Sequence, residues 1–97
     1  MPESLSTAAV DEALAGIEGW SRAGNAIART WERKGFNGAI QLVNVIAFIV
    51  NNLNHHPDIR VHDYKYVTVT STTHVADGIT EHDLELARKI NKTVDES

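Results

Sequence analysis

Between Gly35 and Asn52 the chain carries more apolar side chains than one face of a helix can hold. Ile40, Val43, Ala47 and Val50 fall on one helical stripe, and Leu42, Val45, Ile46 and Ile49 on a second. Residues 45–50 taken alone read equally well as a buried strand, because a short apolar run has no diagnostic period. The periodic turns before them, and the length of the whole segment, predict a helix with Asn37 able to cap it. A helix apolar on two sides must bury both. A sheet covers only one, so another helix or another copy of the chain has to meet the other. The apolar run from Ala39 to Val50 is interrupted by Gln41 and Asn44 and falls short of the roughly 20 residues a bilayer span needs.

The flanking segments alternate between two periods. Leu5, Val10, Ala13, Leu14 and Ile17 have helical spacing, with Ser6 or Thr7 as cap and Gly16 and Gly19 at the end. Gly24-Asn25 marks a turn between strands near 19–23 and 26–33, one face of which buries Ile27 and Trp31. Pro57 stops the long helix, since the residue before a proline is pushed out of helical backbone. A second hairpin follows, with Ile59 and Val61 in its first strand and its turn near His62-Asp63. From Tyr64 to His74 the chain alternates, with Val67, Val69, Ser71 and Thr73 on one face and Thr68, Thr70 and Thr72 on the other. Asp77-Gly78 breaks the strand. Thr80-Glu81-His82-Asp83 then has the form of a capping box opening a last helix that turns Leu84, Ala87, Ile90 and Val94 inward. The predicted order is α-β-β-α-β-β-α, within a single domain spanning residues 1–97.

The 97 residues leave no room for a second core, and the absence of cysteine removes disulfides, thiolate nucleophiles and zinc–thiolate sites. Self-assembly is the remaining common way to stabilise so small a domain. The net charge of −4, with nine scattered Lys and Arg, argues against a nucleic-acid surface. Met1-Pro2-Glu3-Ser4 has no basic region of the kind that begins a signal peptide. The expected setting is cytoplasmic, with no membrane.

Chemistry concentrates in the histidines. His55-His56-Pro57 is followed after six residues by Tyr64, after nine more by His74, and after eight more by Asp83. Imidazole, with an unperturbed pKa of roughly 6.5, exchanges protons near neutrality, and these rings fall near the ends of elements, where a scaffold holds groups rigidly yet accessibly. Proton transfer is one reading, and ordinary hydrogen-bonded surface residues are the other. The second reading is the stronger for His62 and His82. A metal site lacks a His-Glu-x-x-His spacing and has only Asp58 close by as a carboxylate. Asp83 is accounted for by the capping box alone, and Tyr64 and Tyr66 by strand packing. There is no Gly-x-Ser-x-Gly elbow and no Gly-rich phosphate loop.

These residues resemble the pterin-4a-carbinolamine (4a-hydroxytetrahydrobiopterin) dehydratases. The likeness rests on His55-His56-Pro57, Tyr64, Ser71-Thr72-Thr73-His74 and Gly78 through Asp83. Trp20, Ile27-x-Arg29-x-Trp31 and Phe36-x-x-Ala39 add to it. The resemblance implies an α+β fold, a four-stranded antiparallel sheet with helices packed on one face, assembled as a homodimer or homotetramer. It implies loss of water from 4a-hydroxytetrahydropterin to give quinonoid dihydropterin, in tetrahydrobiopterin recycling, with no cofactor and no metal. By the family's pattern His55 and His74 exchange the protons and His56 orients the pterin, so that His55, His56 and His74 form the catalytic set. Asn54, Thr72, Thr73 and Val75 line the pocket with them. Three positions depart from the pattern: Asn51 and Asn54 stand where acidic residues are common, and His82 where arginine is. The resemblance also admits a non-catalytic relative, a binding or assembly module of the kind that serves as a transcription-factor dimerisation cofactor or a Rubisco assembly factor.

Overall fold

The computed structural model describes residues 3–96. Helix α1 (Thr7–Leu14) starts at Ser6, whose hydroxyl accepts the Ala9 N–H at 3.1 Å, and it buries Val10. Strands β1 (Ser21–Ala23) and β2 (Ala26–Glu32) form the first hairpin, and Ile27 and Trp31 are buried on one face of β2 as the alternation requires. Helix α2 (Gly35–Leu53) follows, then β3 (Asp58–His62), β4 (Tyr66–Ser71), a 3-10 turn (His74–Ala76) and α3 (Glu81–Asp95). The four strands pair antiparallel in the order β1-β2-β4-β3. In register, Ile27 faces Ser71, Arg29 faces Val69 and Trp31 faces Val67. The helices cover this face of the sheet, and Val10, Leu42, Ile46, Leu84 and Ile90 join Ile27, Val67 and Val69 in one cluster. Each large side chain buried there contributes about 1.5–3 kcal/mol. The opposite face is polar, and Thr30 and Thr68 share a hydroxyl hydrogen bond across it at 2.7 Å.

The two apolar stripes of α2 merge in part into one inward face, while Ala47 of the first and Val45 of the second stay outside it. Ala39, Leu42, Ile46 and Val50 are buried, with Val43, Ile49 and Leu53 packed at its margins. Val45 and Phe48 remain exposed. By length and composition alone α2 could cross a membrane, at 19 residues and a mean hydropathy of 1.4. Its inward stripe, Ala39, Leu42, Ile46 and Val50, packs into the core.

Several boundaries differ from expectation. Asn37 does not cap α2: the helix begins two residues earlier, after Lys34, which makes no side-chain cap bond. Gly35, at φ +80°, turns the chain out of β2 there, a conformation that a residue with a Cβ adopts only with strain. Tyr64 does not start a strand. It sits exposed in the β3–β4 turn, where Asp63 and Tyr64 both have positive φ. β4 ends at Ser71, so His74 opens a 3-10 turn instead of closing a strand.

Toward its C-terminal end, α3 is tied to β2 and to the residue before β1. Asn91 Oδ1 accepts Trp20 Nε1–H at 2.8 Å and Arg29 Nη1–H at 2.6 Å, and Arg29 also pairs with Asp95 at 2.8 Å. This fixes the axis of α3 and hence where its first turn lies.

Candidate active site

The first turn of α3 is a capping box. The Thr80 N–H donates to Asp83 Oδ2 at 2.8 Å, and the Thr80 hydroxyl accepts the His82 N–H at 3.2 Å. Asp83 does more than cap. It is fully buried, and its Oδ1 accepts His55 Nε2–H at 2.7 Å and the Ser71 hydroxyl at 2.6 Å. Its Oδ2 also accepts the Thr73 hydroxyl at 2.8 Å. Because Thr73 spends its proton on the carboxylate, the Thr80 hydroxyl must be the donor in the 2.7 Å contact between the two threonines. All four acceptor positions of the Asp83 carboxylate, and the hydroxyl protons of Ser71, Thr73 and Thr80, are thereby used.

Burial pushes the Asp83 carboxyl up, but hydrogen bonds from Ser71, the Thr80 N–H, His55 and Thr73 outweigh it and hold the group below the ordinary carboxylate range. Asp83 is therefore an anion near neutrality and can only accept. It follows that the proton on a neutral His55 sits on Nε2, leaving Nδ1 as its open nitrogen.

The chain reaches this point through the end of α2. Asn54 takes a left-handed conformation (φ 55°, ψ 39°) and closes the helix by donating its N–H to Val50 and Asn51 carbonyls. Asparagine tolerates this conformation better than most residues. The turn sends His55 inward, 17% exposed, and His56 outward. His56 Nε2 contacts Asn51 Oδ1 at 3.2 Å. An open cleft of about 420 Å³, lined by Phe48, Asn51, His56, Pro57 and Ile59 among others, lies beside it.

His74 is exposed, and its ring makes no hydrogen bond among the described residues. It is connected to the cluster only along the chain, since the side chain of its neighbour Thr73 is bound to Asp83. The 420 Å³ cleft includes His56 but neither His55 nor His74. Of the remaining expected pocket residues, Thr72 donates to the carbonyl of Asn25 at 2.6 Å and Val75 is exposed beside His74. Tyr64 lies at the hairpin tip, outside the cluster. Sequence reasoning left Asp83 as a cap and omitted Ser71 and Thr80 from the site. The available signal was the pair of inward hydroxyls, Ser71 and Thr73, on an otherwise apolar strand face, because buried hydroxyls require polar partners. One further ring joins the edge of the cluster: His82 lies 5.7 Å from His55, centroid to centroid.

Residues 3–93 match the family model described as pterin 4 alpha carbinolamine dehydratase. The chain belongs to that family. A pterin-4-alpha-carbinolamine dehydratase relative in Roseiflexus sp. (strain RS-1) is 39% identical over 95% of this chain and 98% of its own length. Another, in Thermomicrobium roseum, is 43% identical over 89% and 91%. Both carry the name "putative pterin-4-alpha-carbinolamine dehydratase". The solved transcriptional coactivator/pterin dehydratase from Brucella melitensis superposes with a TM-score of 0.83 at 34% identity, covering 92% of this chain and 96% of that one.

Proposed function

We propose that the protein dehydrates a 4a-hydroxytetrahydropterin to quinonoid dihydropterin and water, as part of tetrahydrobiopterin recycling. The observation that carries this reading is His55 held by a buried, ionised Asp83, with Thr73 on the same carboxylate and His74 next in the chain. The reaction needs two proton movements. The 4a-hydroxyl leaves only when protonated, and the N5 proton departs as the C4a=N5 bond forms. His55 Nδ1 takes the N5 proton, and the positive charge that then spreads over its ring faces the Asp83 anion. His74 gives its proton to the departing hydroxyl. His56, turned toward the open cleft, orients the bicyclic ring, with Asn54 and Val75 at the margins. Acid and base groups placed in this way typically contribute about 10²–10⁴-fold each.

The test is stopped-flow absorbance of freshly generated 4a-hydroxytetrahydropterin, with and without protein. Acceleration over buffer, undiminished by EDTA, is the expected result. Dehydration at the buffer rate removes the enzyme reading and leaves the binding-module reading, which is favoured by the coactivator half of the Brucella protein's name.

The exposed Val45 and Phe48 on α2 support self-association as a homodimer or homotetramer. Phe48→Glu is expected to shift the sedimenting species toward monomer. An unchanged sedimentation coefficient would remove α2 as the interface.

A further inference from the structure

The six residues from Thr73 to Gly78 form a closed loop. The Thr73 N–H donates to the Gly78 carbonyl at 2.9 Å, the Gly78 N–H returns to Thr73 at 3.4 Å, and the Ala76 N–H donates to Thr73 at 3.0 Å. His74 rides on this loop with a ring that makes no hydrogen bond among the described residues, so its placement depends on where the backbone of the loop is held. On one side, the N-terminal segment lies against the loop base. Ser4 Cβ stands 2.9 Å from where a Cβ on Gly78 would be, and the Leu5 N–H donates to the Ile79 carbonyl at 2.7 Å. On the other side, the tie runs to the β1–β2 turn. The Thr72 hydroxyl reaches two carbonyls at once, Asn25 at 2.6 Å and Gly78 at 3.3 Å. The Asn25 side chain returns the contact by donating to Asp77 Oδ1 at 3.4 Å.

We infer that Thr72 and Asn25 are positioning residues: the first hairpin holds the His74 loop in place through one threonine hydroxyl. The inference rests on the dehydratase reading for its kinetic consequence but not for its structural one. Thr72 has a single hydroxyl proton, and its 2.6 Å partner is a protein carbonyl. That proton is therefore already spent, and the residue acts on the pterin through the loop. Misplacing a reacting group by a fraction of an ångström slows the chemical step without weakening substrate binding in proportion.

Thr72→Val keeps the shape and removes the hydroxyl, and Thr72→Ser keeps the hydroxyl. Thr72→Val is expected to lower kcat about tenfold, with KM within about twofold, and Thr72→Ser to restore kcat. Amide exchange at Thr73, Ala76 and Gly78 should quicken about tenfold in Thr72→Val, while the β2–β4 ladder amides keep their wild-type rates. Asn25→Ala retains the backbone carbonyl and removes only the contact to Asp77. It is expected to change both readouts in the same direction by about twofold, which keeps the inference testable should Thr72→Val not fold. A raised KM at unchanged kcat would make Thr72 a substrate contact and overturn the inference, as would unaltered exchange in the loop. Faster loop exchange in a protein that dehydrates no pterin would overturn the functional reading and leave the structural tie standing.

Discussion

Asp83→Asn is expected to lower kcat by about 10²–10⁴-fold while leaving a folded protein destabilised by about 1–3 kcal/mol. The amide has the shape of the carboxylate but turns one of its two oxygens into an NH₂ donor. The Thr80 N–H cannot rotate to accept a hydrogen bond, so the amide must keep its oxygen toward Thr80 and Thr73 and point its NH₂ at His55 and Ser71. Ser71 can turn its hydroxyl to accept. His55 can satisfy the new donor only by giving up the proton on Nε2, which moves it to Nδ1. The ring then presents a donor where the reaction needs an acceptor. Steady-state kinetics, urea unfolding and the ¹⁵N signature of the His55 tautomer check the three parts of this prediction separately.

Acid probes the same carboxylate. Burial raises its affinity for a proton, but the hydrogen bonds from Ser71, Thr80, His55 and Thr73 lower it further, so the folded protein holds that proton more weakly than the unfolded chain. The stability Asp83 contributes is complete above the unfolded value of about 3.9 and is lost as pH falls through the lower folded value. The melting temperature of the wild type should therefore fall more steeply than that of Asp83→Asn below about pH 4. Parallel curves would show that the carboxylate gains nothing from its four donors.

His55→Ala and His74→Ala should each reduce kcat about 10²–10⁴-fold, whereas His56→Ala should mainly raise KM. The split follows from surroundings. His55 has an anion behind it to receive the charge of a transferred proton, and His74 follows Thr73, whose hydroxyl is bound to that anion. His56 faces the cleft with only a neutral amide, Asn51, as partner. Wild-type kinetics in all three variants would refute the assignment of roles even if the protein were active. If the two rings act as acid and base in one step, removing both His55 and His74 should not multiply the losses.

Much of this was legible because local pattern and global fold agree. The alternation through Val67, Val69 and Ser71 marks the inward face of β4 and carries on to Thr73 beyond it, Ile27 and Trp31 mark that of β2, and Thr80 to Asp83 the start of α3. What escaped notice depended on partners far along the chain. The bond between His55 and Asp83 joins residues 28 apart, and nothing local to Asp83 distinguishes a cap that also holds a histidine. The two stripes of α2 looked like two faces because periodicity alone does not say how wide a groove the sheet and α3 offer together. Tyr64 continues the alternation that runs to His74 and so has the pattern of a strand, but the hairpin turn imposes a left-handed conformation that is uncommon for tyrosine.

The measurement closest to the central claim is the single-turnover dehydration rate of 4a-hydroxytetrahydropterin with the wild type and with the His55→Ala/His74→Ala double variant, both shown to be folded. The account predicts a wild-type rate far above buffer and a double-variant rate close to it. A double variant as fast as the wild type would contradict the claim that these two imidazoles move the protons.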